Sequence, residues 1–80
     1  MTDHEFKNIK AAVANLATQA MASCSKSALF MTQARLQRSL DRPGAVTHFV
    51  RMAREEWHAY RTYQKAMLQL ITEPMPKGDA

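Results

Sequence analysis

Near the middle of the chain, Leu40-Asp41-Arg42-Pro43-Gly44 interrupts two stretches that otherwise suit helix, and this break limits the fold more than any other feature. Proline has no N–H to donate and its ring disfavours helix in the residue before it, so a helix arriving from the N-terminal side has to end here. The expected fold is all-α: an antiparallel, coiled-coil-like two-helix hairpin forming a single domain over residues 1–80. Helix one is placed at 3–39, the turn at 40–44, helix two at 45–72 and a flexible tail at 73–80. A hairpin has one seam in which to bury side chains, and 80 residues bury a smaller fraction of their surface than a large domain does. Apolar surface beyond that seam therefore needs another chain.

Helix one opens on Thr2-Asp3-His4-Glu5, where Thr2 can accept from a free backbone N–H and Glu5 can reach back to the cap residue. At about 100° per residue, Phe6, Ile9, Val13, Leu16, Ala20, Cys24, Met31 and Ala34 fall within an arc of about 120°, as a core-facing stripe does. Ser23-Cys24-Ser25-Lys26-Ser27 is weak helix material, because short hydroxyl side chains compete for backbone hydrogen bonds. A continuous helix is expected there, with a break at Ser23–Ser27 as the alternative. Leu29, Leu36 and Leu40 lie almost opposite Leu16 and make a second apolar strip that the hairpin seam cannot reach.

Helix two is placed after the break with Asp41 as its cap and Pro43 in its first turn, and with Thr47 as the other candidate cap. Val46, Phe49, Val50, Met52, Ala53, Trp57, Tyr60, Tyr63, Met67, Leu70 and Ile71 project onto an arc of about 160°. Arg51, Arg54, Glu55, His58, Arg61 and Lys65 take the other side, and only Glu56 and Gln64 intrude. That face is wider than a minimal coiled-coil seam and suits two neighbours. Pro74 and Pro76 end the helical pattern.

Composition narrows the function classes. An apolar share of 46% with two Gly and three Pro opposes disorder, and six Met suit repackable contact surfaces. The single Cys24 excludes an intramolecular disulfide framework and suits a reducing compartment, so the cytoplasm is expected. Lys10, Asn15 and Gln19 interrupt the apolar run of Phe6 to Met21, so neither a signal peptide nor membrane insertion is expected. The net charge of +4 admits a nucleic-acid partner through Arg35, Arg38, Arg42, Arg51, Arg54 and Arg61. Asp41, Glu55 and Glu56 lie among those arginines and dilute them into an ordinary solvated face.

No residue pattern supports catalysis, a cofactor or a metal. Glu55 and His58 have the Glu-x-x-His spacing of carboxylate-bridged metal bundles, but both project onto the charged face, and helix one has no carboxylate after Glu5. His4, His48 and His58 are scattered over polar arcs, and Cys24 has neither a nearby His nor a glycine-rich turn. Trp57 sits centrally in the apolar arc and is assigned to packing within the hairpin, whereas Tyr60 and Tyr63 lie toward its edge, where a ring can meet another chain while the hydroxyl stays wet.

The length, the turn, Phe49 early in the second helix and the ending Met67-Leu68-Gln69-Leu70-Ile71-Thr72-Glu73 together resemble the small needle-protein co-chaperones of bacterial type III secretion systems, mainly over residues 41–73. That resemblance implies a helical hairpin paired with a larger helical-repeat chaperone, the two keeping a polymerising secreted subunit soluble. It implies contacts through Phe49, Tyr63, Met67 and Leu70. The projections add Leu29, Leu36, Leu40 and Met52 as partner-binding residues. Self-association into a homodimeric four-helix bundle that binds nucleic acid, as Rop-like hairpins do, is the alternative.

Overall fold

The computed structural model describes residues 2–72, and the tail expected over 73–80 lies outside the described residues. Two helices, α1 (Asp3–Ser39) and α2 (Pro43–Thr72), pack side by side as the antiparallel hairpin expected from the sequence. The molecule is a rod of about 60 × 24 × 12 Å between Cα atoms. Its radius of gyration of 18.3 Å far exceeds the roughly 12 Å of a compact domain of this length.

The N-terminus of α1 is capped as the sequence indicates, with the Glu5 backbone N–H donating to Thr2 Oγ1 at 3.1 Å. Asp3 and Glu5 in the first turn oppose the positive end of the helix dipole, and Arg38 in the last turn opposes the negative end. The helix runs unbroken through Ser23–Ser27. Where threonines interrupt either helix, the hydroxyl is satisfied locally: Thr18, Thr32, Thr47 and Thr62 each donate to the carbonyl four residues back, at 2.9–3.1 Å.

At the turn the structure departs from the expected capping. Asp41 does not cap α2. It takes a left-handed conformation (φ 56°) and closes α1, with its own N–H donating to the Arg38 carbonyl and the Arg42 N–H donating to the Gln37 carbonyl, both at 3.0 Å. These two bonds satisfy carbonyls that the end of a helix leaves open, and aspartate is among the few residues that tolerate the geometry. The helix α2 begins at Pro43, inside the segment assigned to the turn. The Arg42 carbonyl accepts its first helical bond, from Val46 at 3.1 Å. Pro43 occupies the first helical position, where its missing N–H costs nothing. Thr47, the other candidate cap, lies within α2.

The seam between the helices repeats at alternating three- and four-residue steps, through Ile9, Val13, Leu16, Ala20, Ser23, Ser27, Phe30 and Ala34 on α1 and Val46, Phe49, Ala53, Glu56, Tyr60, Tyr63, Met67 and Leu70 on α2. Its most buried positions are small residues. Ala20, Ala34 and Ala53 are each 3% exposed and Ser23 7%, and Ser27 Oγ donates across the seam to the Ala53 carbonyl at 3.0 Å. A side-chain hydroxyl can reach a backbone carbonyl on the facing helix only where the two backbones approach closely. Toward the turn Phe30 stacks on Phe49, with ring centroids 6.3 Å apart.

Not every residue of the apolar arcs reaches this line. Met31, Trp57 and Ile71, which the projections place in the seam, are 36%, 45% and 53% exposed. An ideal projection identifies an apolar arc but not which part of it meets the neighbouring helix. Here Ala53 and Ala20 set that line, leaving Trp57 and Ile71 well to one side of it.

Two expectations follow for stability. Ala53→Leu should lower unfolding free energy by about 1–3 kcal/mol, because the close seam has no room for three more carbons. At Gly44 φ is not positive and an added Cβ meets nothing within 4 Å, so Gly44→Ala should raise stability by about 0.5–1 kcal/mol through loss of unfolded-state freedom. Urea titration followed by circular dichroism measures both.

Candidate interaction surface

The two sides of the hairpin differ. A two-fold axis normal to the plane of the hairpin relates two antiparallel helices, so residues one step past the seam fall on the same side of both. On α1 these are Ala17, Cys24 and Met31, and on α2 they are Val50, Trp57, Gln64 and Ile71. The register set by Ser27 with Ala53 and Phe30 with Phe49 brings Met31 level with Val50, Cys24 with Trp57 and Ala17 with Gln64. A shallow, mainly apolar groove therefore follows this side of the rod. The opposite side has Gln19, Lys26 and Gln33 on α1 facing Met52, Ala59 and Ala66 on α2. It is polar along one wall and small along the other.

Trp57 and Tyr60 dominate the middle of the groove, with ring centroids 5.0 Å apart and planes tilted by 36°. Tyr60 is held further by Gln64, whose Nε2 donates to its hydroxyl at 2.9 Å. This bond explains why a polar residue interrupts the apolar arc of α2: Gln64 fixes the tyrosine ring that supports Trp57. Two notches in α2 flank this pair. One, of about 370 Å³, is lined by Arg61, Gln64, Lys65, Met67, Leu68 and Ile71. The other, of about 340 Å³, is lined by Val46, Thr47, Val50, Arg51 and Arg54. Each has an apolar floor and a basic rim.

No family model, curated protein or solved structure matches this chain.

The residues assigned to partner binding divide into two sets. Leu29, Leu36 and Leu40 are 65%, 49% and 50% exposed along the back of α1, away from α2. Phe49, Met52, Tyr63, Met67 and Leu70 are half-buried at or beside the intramolecular seam, with Phe49 against Phe30. The exposed apolar residues of α2 are instead Trp57, Leu68 and Ile71. The sequence holds a signal for Trp57 and Ile71 that the broad projection hid: Val50, Trp57, Gln64 and Ile71 recur at intervals of seven, as a second stripe beside the seam.

Among the described residues, no three His, Cys, Asp or Glu side chains are grouped to hold a metal ion, and Glu55 and His58 are both exposed. Cys24 is a free, half-buried thiol on the groove wall. No described helix is long and apolar enough to cross a membrane.

If Trp57 packs chiefly on Tyr60 and otherwise faces water, Trp57→Ala should cost about 1 kcal/mol in chemical denaturation, against the roughly 3–5 kcal/mol typical of a core tryptophan.

Proposed function

We propose that this chain is a non-enzymatic protein-interaction module: a small cytoplasmic co-chaperone of a bacterial secretion system that pairs with a larger helical chaperone to keep a polymerising subunit soluble. The observation that carries this reading is the mismatch between its apolar content and its buried core. Among the described residues only Ala20, Ala34 and Ala53 are buried apolar ones, while Phe6, Met21, Leu29, Leu36, Leu40, Trp57, Leu68 and Ile71 are about half exposed or more. The resemblance to type III secretion co-chaperones gives the partner its class, and the exposed strip of Leu29, Leu36 and Leu40 supplies a second contact region for a chaperone that wraps the hairpin.

Lys10, Arg35, Arg38, Arg54 and Arg61 border the groove and give the alternative, a homodimeric nucleic-acid-binding bundle, its specific support. Phosphates would have to be met by side chains that stand on either edge of an apolar floor, which favours a protein ligand over a nucleic-acid backbone.

Coexpression with neighbouring reading frames, followed by size-exclusion chromatography with light scattering, tests the proposal. A defined heteromeric complex is expected, together with weak or poorly behaved self-association of the chain alone. A stable homodimer unaffected by those partners would refute it. Salt-dependent retention on nucleic acid, lost on Arg38→Glu or Arg54→Glu, would favour the alternative.

A further inference from the structure

We infer that the groove between α1 and α2 takes a single amphipathic helix of another protein, one whose apolar stripe is flanked by Asp or Glu side chains; this rests on the interaction-module reading and names the chemistry of its partner. The shape argues for a helix. Met31 and Val50, Cys24 and Trp57, and Ala17 and Gln64 form successive levels along the rod, so the groove follows its length and repeats every seven residues, the spacing at which a third helix inserts side chains between two others. From the level of Arg38 to that of Lys10 the groove runs about 40 Å, the length of a helix of about 28 residues. A steeply crossing element would meet only one or two of these levels.

The charge selects the flanks of that helix. Arg35 and Arg38 stand on the α1 edge toward the turn, Lys10 on the same edge toward the open end, and Arg54 and Arg61 on the α2 edge, all exposed. The acidic residues of α2, Glu55 and Glu56, lie off this side: Glu55 projects to the opposite side and Glu56 is half-buried in the seam. An apolar floor between basic edges is complementary to an apolar stripe between acidic ones. The same edges oppose a second copy of this chain, because groove-to-groove pairing would set Arg54 and Arg61 of one molecule among the basic edge residues of the other. Like charges brought together around a dry stripe cost affinity.

The test uses the full chain and three fluorescein-labelled synthetic helices of about 28 residues, read by fluorescence anisotropy. The first has a leucine stripe with glutamate flanks, the second the same stripe with lysine flanks, and the third glutamate flanks with a serine stripe. Binding of the first is expected, with the second and third weaker by on the order of tenfold or more. Ile71→Asp in the groove, and Arg54→Glu combined with Arg61→Glu on its edge, should each weaken the first peptide by on the order of tenfold, while Gln33→Asp on the opposite side of the hairpin leaves it unchanged. All these positions are exposed, and circular dichroism checks that helix content is kept. Should Ile71→Asp unfold the chain, Ile71→Ser replaces it. The inference is overturned by equal binding of the two charge patterns, by indifference to the groove and edge variants, or by equal damage from Gln33→Asp. It is also overturned by displacement of the peptide by a short nucleic-acid duplex, or by a homodimer that Ile71→Asp dissociates. Failure of the peptides alongside a heteromeric complex in the coexpression experiment would refute this groove as the docking site without refuting the module.

Discussion

The approach of the two helices at Ala20, Ser23, Ser27 and Ala53 sets the line along which the hairpin closes. Small residues at the centre of the seam bring the backbones close enough for the Ser27 hydroxyl to reach the Ala53 carbonyl at 3.0 Å, and Ala53 retains only 3% of its accessible surface. Close contact gains dispersion energy along the line of approach but buries little apolar area per residue, since alanine and serine have little to bury. Met31, Trp57 and Ile71 lie beside that line, whereas Phe30, Phe49, Tyr60 and Tyr63 remain half-buried along it. A hairpin built around larger seam residues would spread the helices apart and draw Trp57 and Met31 inward. This one is narrow and close-packed at Ala20, Ser23 and Ala53 and mainly apolar along one outer side.

That arrangement suits a protein that completes its core by binding. The described residues include no fully buried large side chain. Stability of the isolated hairpin therefore rests on the seam, on a well-capped start to α1 and on a turn whose backbone bonds are satisfied. The groove beside Trp57 and the leucine strip on the back of α1 remain available. A partner that covers them adds apolar burial that the chain cannot obtain alone, so association and folding stability are coupled.

Much of the fold was legible in the sequence, and for identifiable reasons. The break at Pro43, the Thr2 cap and the two helical periodicities each rest on local chemistry that tertiary context did not override. The turn was harder, because an aspartate ahead of a proline suits either a helix start or, less often, the left-handed residue that ends the helix before it; two backbone bonds from Asp41 and Arg42 decide the matter. Ser23–Ser27 signalled weak helix when considered alone. In the hairpin the same small hydroxyl residues permit the close approach, a gain that exists only once α2 is present. Trp57 was assigned to the core because its arc is apolar. Its exposure follows from which residues of that arc are smallest, and the seven-residue recurrence of Val50, Trp57, Gln64 and Ile71 was the available signal. Partner identity leaves no local imprint comparable to a cap or a turn, so the leucine strip and the groove indicate that a surface needs covering more directly than they indicate by what.

Trp57 is the only tryptophan of the chain, so its fluorescence reports on the groove without interference. Emission and acrylamide quenching, recorded at concentrations where sedimentation shows a monomer, measure most directly whether the hairpin leaves an apolar side uncovered. The expected result is emission close to that of indole in water with ready quenching, both shifting toward a shielded tryptophan in the complex. A blue-shifted, poorly quenched tryptophan in the monomer would contradict the account, since the hairpin would then have closed its own core.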